Sequence, residues 1–394
     1  MPEPPVIELP RTLESRLSAG HAWIYRDHVP PGVSAPSGTW FRVRAGRFNG
    51  FGLWDASSPI AIRIYSRKCV PDSAWILGKV KAAHELRAGL RARGVSGYRW
   101  INGEGDGLPG LVVDCYGAFA VVATYADSVE ALLPGVVAAL ADVRRPHGVV
   151  RLCTNAAAES DRGERLELLF GRMPPERLVV EEYGVRLLAE LRVAQKTGLY
   201  LDQRENRHRL GAEAGGVRVL NLFCYTGAFS LHALRGGAAS VVQVDASERA
   251  LAAARENFAL NGVAAPEHEF VCEDAFEYLK SAAGLGRRFD CVIVDPPSFA
   301  RSRSQRNEAL HAYRRLFALA IRVTEPGGVL AASSCTAQVT PAEFLTALGE
   351  SAARVRRTLQ TFHEAGHALD HPILAGHPEG RYLKFVMSRV LPYD

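Results

Sequence analysis

The second half of the chain alternates short apolar segments with longer helical patterns, and this alternation constrains the fold more than any other feature. Five segments have the length and apolar character of strands: VRVLNLF, ASVVQVD, HEFVCED, FDCVIVD and GGVLAASS. Helical patterns lie between or after them at residues 228–234, 247–261, 275–283, 305–324 and 341–354. Strands that alternate with helices form a parallel sheet covered on both faces. The sequence therefore predicts a doubly wound, Rossmann-like α/β domain, closed by the strand pair TLQTFHEAG and GRYLKFVMSR.

Chain length and local pattern predict three domains. At about 100–200 residues per domain, 394 residues correspond to two or three domains. Residues 1–70 hold short alternating strands broken by Pro and Gly, which predicts a small β-barrel. Residues 71–180 mix helical and strand patterns as a central α+β domain, and residues 181–394 hold the doubly wound domain. The first domain has nine basic and five acidic residues, which fits either a phosphate-facing surface or a solvated barrel face.

Composition excludes several classes of protein. Hydrophobic residues make up 47% and charged residues 23%, which is typical of a globular chain. No window approaches the ~18 apolar residues of a membrane span, and the N-terminus lacks the pattern of a signal peptide. We therefore expect a cytoplasmic protein without membrane contact. The 41 Arg against 6 Lys are explained, on composition alone, by a GC-rich genome.

The cysteines and histidines favour neither disulfides nor a metal. Seven cysteines is an odd number, and no C-x-x-C pair occurs among them. Six of the seven are expected to be inert core thiols. The spacing of four C-terminal histidines, across strand and turn patterns, favours scattered structural roles over a metal site: His363, His367, His371 and His377.

Polar residues at the ends of the first three strands predict a cofactor pocket. VRVLNLF runs into CYTGAFS, where Gly227 would let a ligand approach the backbone at a helix N-terminus. Asp245 ends the second strand and can accept the hydroxyls of a ribose, and Asp274 ends the third and can accept from an adenine amino group. Each acid alone could also be an ordinary helix cap. Together they predict a pocket for an adenosine without phosphates, namely S-adenosylmethionine.

The fourth and fifth strands end in residues that predict base methylation. FDCVIVDPPSF places Asp295 at a strand end before two rigid prolines, a pattern typical of methyltransferases that act on planar nitrogen-bearing rings. Cys335 follows the fifth strand, where the loop opens over the site. Attack of a thiolate on carbon 6 of a cytosine makes carbon 5 nucleophilic enough to accept a methyl group. Nearby arginines could lower the pKa of this thiol.

These motifs, taken in order, resemble the large-subunit ribosomal RNA cytosine-5 methyltransferases that carry an N-terminal PUA domain. QKTGLYLDQR, at 195–204, closely matches the family signature Q/H-K-T-G-x-Y/F-L-D-Q-R. NLFCYTGAFS, DPPSF and SSC are in register with the family's motifs, and residues 370–384 resemble its D-H-P…P-E-G-x-Y-L-K close. GHAWIYRDHV and Gly50-Phe51-Gly52 resemble the PUA part more weakly. The resemblance covers nearly the whole chain.

The resemblance implies S-adenosylmethionine as methyl donor and 5-methylcytosine in 23S RNA as product. It implies Cys335 as the nucleophile and Asp295 as the residue that holds the base edge. Many cytosine-5 RNA methyltransferases carry a second cysteine where this chain has Ser298, which leaves open the base that removes the carbon 5 proton. The implied cofactor site comprises Lys196, Thr197, Tyr200, Asp202, Gln203, Arg204, Phe223, Tyr225, Thr226, Gly227, Phe229, Asp245, Ala246, Ser247, Asn257, Asp274, Ala275, Asp295 and Pro296.

RNA is the expected partner, as naked 23S RNA or a large-subunit precursor. A base in folded RNA must be unpaired or flipped to be methylated, and single-stranded RNA is read by stacking and Arg contacts. The residues after Asp295 fit this role, although a solvated helix would explain the arginines equally well. The predicted RNA contacts are Pro297, Ser298, Arg301, Arg303 and Arg306. The sequence leaves open whether the chain forms a homodimer.

Two other functions stay open at this point. Methylation of a purine ring nitrogen in ribosomal RNA would need DPPSF but no cysteine. A non-catalytic RNA-binding assembly factor would bind RNA through residues 1–70 without binding S-adenosylmethionine.

Overall fold

The computed structural model describes residues 3–153, 166–191, 199–264, 268–300 and 302–393. Lys196, Thr197 and Arg301 of the predicted site lie outside these ranges. The chain divides into two compact units. The first comprises Met1–Val180, Ala189–Leu201 and Leu369–Gly380, and the second Glu181–Leu188, Asp202–Ala368 and Arg381–Asp394. The three-domain division expected from the sequence stays a prediction.

The first unit begins with a five-stranded sheet. Its strands are β1 (Val6–Glu8), β2 (Trp23–Tyr25), β3 (Trp40–Ala45), β4 (Phe48–Trp54) and β5 (Ile60–Ser66), and helix α1 spans Glu14–Ser18. The strand order is β1-β3-β4-β5-β2. β1 pairs in parallel with β3 and the other pairs are antiparallel. Alternate residues of β3 are buried, because one face of the sheet packs on a core that includes Val43, Phe48 and Ile62. The strands that the period-two pattern predicts in this region are therefore present in the structure.

A second sheet follows in the same unit. Its elements are α2 (Ser73–Leu86), α3 (Ala88–Ala92), β6 (Gly97–Asn102), β7 (Leu111–Tyr116), β8 (Phe119–Thr124), α4 (Leu133–Arg144), β9 (Gly148–Leu152) and β10 (Leu166–Gly171). The strand order is β10-β9-β8-β7-β6. A 3-10 turn over Asp127–Leu132 directly precedes α4. The α-helix itself starts at Leu133 because Pro134, which has no N–H, fits only the first turn of a helix.

The second unit is built around a seven-stranded sheet. β11 (Leu178–Glu182) and β12 (Val185–Ala189) lie at the boundary between the units. The following elements are α5 (Arg204–Gly211), β13 (Arg218–Leu222), α6 (Ala228–Arg235), β14 (Ser240–Asp245), α7 (Glu248–Leu260), β15 (Glu269–Cys272), α8 (Ala275–Gly284), β16 (Phe289–Val294), α9 (Arg306–Val323), β17 (Thr324–Ser334), α10 (Pro341–Arg354), β18 (Arg357–Ala365) and β19 (Lys384–Pro392). The strand order is β15-β14-β13-β16-β17-β19-β18.

This strand order confirms the doubly wound fold. The five strands from β13 to β17 are mutually parallel, and β19 and β18 add an antiparallel edge. Helix α9 covers one face through Tyr313 and Phe317, which are fully buried in the main core. The order reverses at β13, which has β14 on one side and β16 on the other. Ligands of open α/β sheets bind at the carboxyl ends of the strands beside such a reversal.

No helix in the described ranges has both the length and the apolar character needed to cross a membrane.

Candidate active site

The loop after β13 has an unusual backbone. Phe223 and Tyr225 have φ values of 59° and 48°, in the left-handed region that side chains with a Cβ rarely adopt, and Gly227 follows at 78°. Tyr225 N–H donates to Asp245 Oδ2 (2.9 Å), and Asn257 Nδ2 donates to the Thr226 carbonyl (2.9 Å). A Cβ at Gly227 would lie 2.7 Å from Gln243 Oε1 on β14. Such strain persists only where neighbours hold it, and it is concentrated at ligand sites.

Asp245 keeps acceptor capacity for a ligand. Its Oδ1 accepts from Ser247 N–H (2.9 Å) while Oδ2 accepts from Tyr225 N–H. Ser247 in turn caps α7 by accepting from Ala250 N–H (3.3 Å). An ionised carboxylate offers about four lone-pair sites. The two oxygens can therefore accept ribose hydroxyls while they hold the loop.

Asp274 is the N-cap of α8. Its Oδ1 accepts from the N–H groups of Phe276 (2.9 Å) and Glu277 (3.2 Å). The capping role that the sequence left open is therefore present. The residue is exposed at the end of β15, and within the described ranges no hydrogen bond reaches its Oδ2. That oxygen is available to an amino group of a ligand.

The other predicted cofactor residues occupy varied places. Ala246 is exposed and Ala275 is buried at the start of α8. Phe229 is buried and stacks on Phe385 with ring centroids 6.1 Å apart. Asn257 is fully buried. Its Oδ1 accepts from the Leu188 N–H, and its Nδ2 donates to the Thr226 carbonyl. Asn257 thus holds the loop in place through its hydrogen bond to the Thr226 carbonyl.

A hydrogen-bonded cluster surrounds Asp295 at the end of β16. Gln203 Nε2 donates to Asp295 Oδ1 (3.0 Å), and the Ser333 hydroxyl donates to the same oxygen. Asn206 Nδ2 donates to Gln203 Oε1 (2.6 Å) and thereby fixes the amide. Burial raises the pKa of Asp295 to about 6; the hydrogen bond from Ser333 acts in the opposite sense, and the nearby Asp202 carboxylate raises it further. A general acid or base is most effective when its pKa lies near the pH of the reaction, and the pKa of Asp295 is close to neutral pH.

Asp202 and Arg204, from the 195–204 motif, flank Gln203 of this cluster in the chain. Asp202 Oδ2 accepts from the Tyr382 hydroxyl (2.6 Å), and its carbonyl accepts from Ala368 N–H (2.9 Å). Arg204 is fully buried, and its Nε donates to Glu205 Oε1 (3.3 Å). Tyr200, by contrast, belongs to the first compact unit.

Cys335 is half-buried in the turn after β17. The Tyr313 hydroxyl donates to Ser334 Oγ (2.8 Å) and lies 2.7 Å from Thr336 Oγ1. Lys384 Nζ donates to the carbonyl of Thr336 (2.6 Å). The two residues that flank the thiol are therefore fixed by α9 and β19.

Sequence reasoning did not assign roles to Tyr313 or Lys384. Tyr313 lies within the helical pattern at 305–324, which by itself points to no role for this residue. Lys384 closes the Y-L-K motif, and a lysine directly before the apolar run FVM is the signal that could have indicated a buried cation.

The expectation of six core cysteines is only partly correct. Cys115, Cys224 and Cys291 are buried, and burial raises the pKa of each thiol. Cys69 and Cys272 are exposed. Cys272 was predicted inside because it ends an apolar run, but it stands at the last position of the edge strand β15, where no further strand covers it.

The predicted RNA contacts lie beyond β16. Pro296 is buried, whereas Pro297 and Ser298 are exposed. Arg303 is exposed in a short 3-10 turn. Arg306 begins α9 and forms a salt bridge with Glu343. These positions stay predictions.

His377, one of the four C-terminal histidines, belongs to a group of side chains with the spacing of metal ligands. Within the described ranges, His21, His377 and Glu379 bring their ligand atoms within 4.8 Å of one another. The Arg16 guanidinium contacts His21 Nε2 and Glu379 Oε1, so an arginine cation stands at this group. The prediction of no metal stays a prediction.

Known proteins resemble this chain over nearly its whole length. A profile of S-adenosylmethionine-dependent methyltransferases matches residues 155–368, and a PUA-like domain profile matches residues 7–67. The crystal structure of SMU.776 in complex with SAH has the same fold with a TM-score of 0.85 at 24% identity, covering 98% of this chain and 100% of that one. Fold and profiles together define an S-adenosylmethionine-dependent methyltransferase with a PUA-like domain.

Curated relatives narrow the family. The chain is 35% identical to Ribosomal RNA large subunit methyltransferase I of Aeromonas hydrophila, covering 97% of this chain and 98% of that protein. It is 37% identical to Ribosomal RNA large subunit methyltransferase of Deinococcus radiodurans, covering 98% of this chain and 97% of that protein. The chain belongs to this family of S-adenosylmethionine-dependent methyltransferases. The resemblance found in the sequence and the predicted cofactor are thereby confirmed.

The residues present fit S-adenosylmethionine. The strained loop at Phe223–Gly227 leads into α6, and Asp245 and Asp274 offer free acceptor sites at the ends of neighbouring strands. No cluster of cations for phosphates stands among these residues, which suits an adenosine that carries none. Asp245 would hold the ribose and Asp274 the adenine.

Proposed function

We propose that this protein transfers a methyl group from S-adenosylmethionine to carbon 5 of a cytosine in 23S ribosomal RNA. The names of the relatives from Aeromonas hydrophila and Deinococcus radiodurans support ribosomal RNA as the substrate. The observation that carries the choice of carbon 5 is Cys335, which follows β17 directly. β17 and β16 are parallel neighbours, so Cys335 and Asp295 follow strand ends at the same edge of the sheet.

The thiol is what carbon 5 chemistry requires. The Cys335 thiolate attacks carbon 6 and forms an S–C6 bond, and the displaced electron pair makes carbon 5 nucleophilic. S-adenosylmethionine supplies the methyl group and leaves as S-adenosylhomocysteine. A base then removes the carbon 5 proton, the C5=C6 double bond reforms, and the thiolate leaves. Cys335 thus begins and ends the cycle in the same form.

Asp295 is suited to hold the base edge. Gln203 and Ser333 both donate to Oδ1, which fixes the orientation of the carboxylate. With a pKa of about 6, this carboxyl is mostly ionised at pH 7. Its Oδ2 can accept from the exocyclic amino group of a cytosine. Residues 1–70, with the basic excess noted above, would also bind the RNA.

The Cys335→Ala variant tests the proposal. We expect loss of 5-methylcytosine formation on 23S RNA, measured by nucleoside mass spectrometry, with unchanged S-adenosylmethionine binding by calorimetry. Cys272→Ala is the matched control, because Cys272 is an exposed thiol at the end of another strand of the same sheet. It should leave methylation intact.

Each failure has a distinct meaning. If Cys335→Ala still forms 5-methylcytosine, the covalent mechanism is wrong. If the wild type instead forms an N-methylated purine, the function is ring-nitrogen methylation, for which Asp295 and the two prolines suffice. If the protein binds 23S RNA without binding S-adenosylmethionine, it is a non-catalytic assembly factor.

A further inference from the structure

Lys384 is a buried cation with no assigned role. It is one of only six lysines in the chain, and only 4% of its surface is exposed. It begins β19, where it pairs in antiparallel register with Ser334, the last residue of β17. A buried lysine needs partners, because an unpaired buried charge is costly. Its partners therefore indicate what it does.

The ammonium of Lys384 is directed at the turn that carries Cys335. Nζ donates to the Thr336 carbonyl (2.6 Å) and to the Tyr382 carbonyl (2.8 Å). Thr336 directly follows Cys335, so the first bond fixes the peptide next to the thiol. Lys384 and Cys335 also interact electrostatically. Both carbonyl partners are neutral, which leaves the positive charge of Lys384 free to act on the thiol.

The ammonium is charged under the conditions of the reaction. Burial lowers the pKa of Lys384 to about 8, and its interaction with Cys335 acts in the opposite sense. At pH 7 most of the lysine is therefore protonated. In the part of the chain that the structure describes, Tyr313 interacts electrostatically with both Cys335 and Asp295. Asp295 disfavours a second negative charge, and Tyr313 stays neutral because burial raises its pKa to about 12.

We propose that Lys384 is a positioning residue for Cys335: its ammonium fixes the turn through the Thr336 carbonyl, and its charge stabilises the Cys335 thiolate. The inference rests on the proposed role of Cys335 as the nucleophile. A thiolate is the reactive form of cysteine, and a neighbouring cation raises its population at neutral pH.

The test is the pH dependence of Cys335 alkylation in the full-length protein. Iodoacetamide is applied between pH 5.5 and 9.5, and the Cys335 peptide is quantified by mass spectrometry. A nearby opposite charge shifts a pKa by roughly 1–3 units. We therefore expect Lys384→Met to raise the pKa of Cys335 by at least about one unit and to slow alkylation at pH 7 about tenfold. Lys384→Arg should keep the wild-type profile to within a few tenths of a unit.

Two controls separate charge from structure. Arg389→Met removes a cation from the same strand five residues further on, about 16 Å from Lys384 at the rise of a β-strand, and should leave the profile unchanged. Cys272, an exposed thiol in the same molecule, serves as an internal reference that needs no variant. The wild-type pKa of Cys335 should lie below that of Cys272.

The outcomes are distinct. An unchanged profile in a folded Lys384→Met variant overturns the inference, as does a wild-type pKa of Cys335 at or above that of Cys272. The second criterion holds even if Lys384→Met fails to fold. Alkylation of Cys335 does not depend on methylation. Failure of the proposed function is therefore recognised separately, because the Cys335→Ala variant would then still methylate the RNA, whatever the alkylation profile.

Discussion

Replacement of Asp245 by Asn tests the cofactor site most directly. In the structure the two carboxylate oxygens each accept a backbone N–H at 2.9 Å, from Tyr225 and Ser247, and in the proposed complex they also accept the ribose hydroxyls. Asn keeps one acceptor oxygen and turns the other into a donor that faces a backbone N–H. The variant therefore loses at least one hydrogen bond between the carboxylate and the ligand.

The expected size of the effect follows from that single bond. A hydrogen bond to a charged group contributes about 1.5–3 kcal/mol. Loss of about 2 kcal/mol weakens binding roughly thirtyfold. The loop with positive φ at Tyr225 also loses an anchor, which changes affinity in the same direction. We expect calorimetry to show a Kd for S-adenosylmethionine at least thirty times that of the wild type.

Asp290→Asn is the matched control. Asp290 lies at the opposite end of the sheet, near the start of β16, where its carboxylate accepts from Arg218 N–H (2.8 Å). It should leave the Kd unchanged. If the Kd of a folded Asp245→Asn variant stays within threefold of the wild type, the assignment of the ribose to Asp245 is refuted.

Three further variants test the packing and charge of the second unit. Asp295→Asn should lose methylation yet raise the free energy of unfolding at pH 7.5 by about 1–3 kcal/mol, because Asn stays neutral where Asp295, with its pKa of about 6, is ionised. In urea titrations this gain should shrink as the pH falls below 6, and a constant gain would contradict the role of its charge. Tyr382→Phe removes the donor to Asp202 and should lower the free energy of unfolding by about 1.5–3 kcal/mol; an unchanged urea midpoint would contradict this. Phe317→Ala empties a fully buried position and should cost about 3–5 kcal/mol in the same assay, whereas a loss below 1 kcal/mol would mean that the core closes over the cavity.

The sequence predicted the second unit well because two simple regularities govern it. Apolar runs of strand length alternate with helical patterns, and the chain order of such elements restricts the sheet to a few topologies. Parallel strands place their carboxyl ends at one edge, so Asp245, Asp274, Asp295 and Cys335 could be assigned to that edge without coordinates. The N-cap role of Asp274 was also foreseen as an alternative and is present.

The sequence was less informative where burial depends on neighbours. Cys272 ends an apolar run yet is exposed, because β15 is an edge strand. Asn257 was assigned to cofactor contact, which stays a prediction; the structure adds that it is fully buried and donates to the Thr226 carbonyl. Periodicity reports which face of an element is apolar, and it does not report which polar side chain meets which backbone group.

The sequence by itself determined the order of elements, the edge at which the site forms and the residue types that stand there. Those features depend on local pattern and on the geometry common to all parallel sheets. Only the tertiary structure decided what surrounds the reactive groups. Gln203 meets Asp295 across 92 residues, and Lys384 meets Thr336 across 48. Such contacts depend on how a whole domain packs, because hydrogen bonds between distant segments leave no periodic trace in the chain.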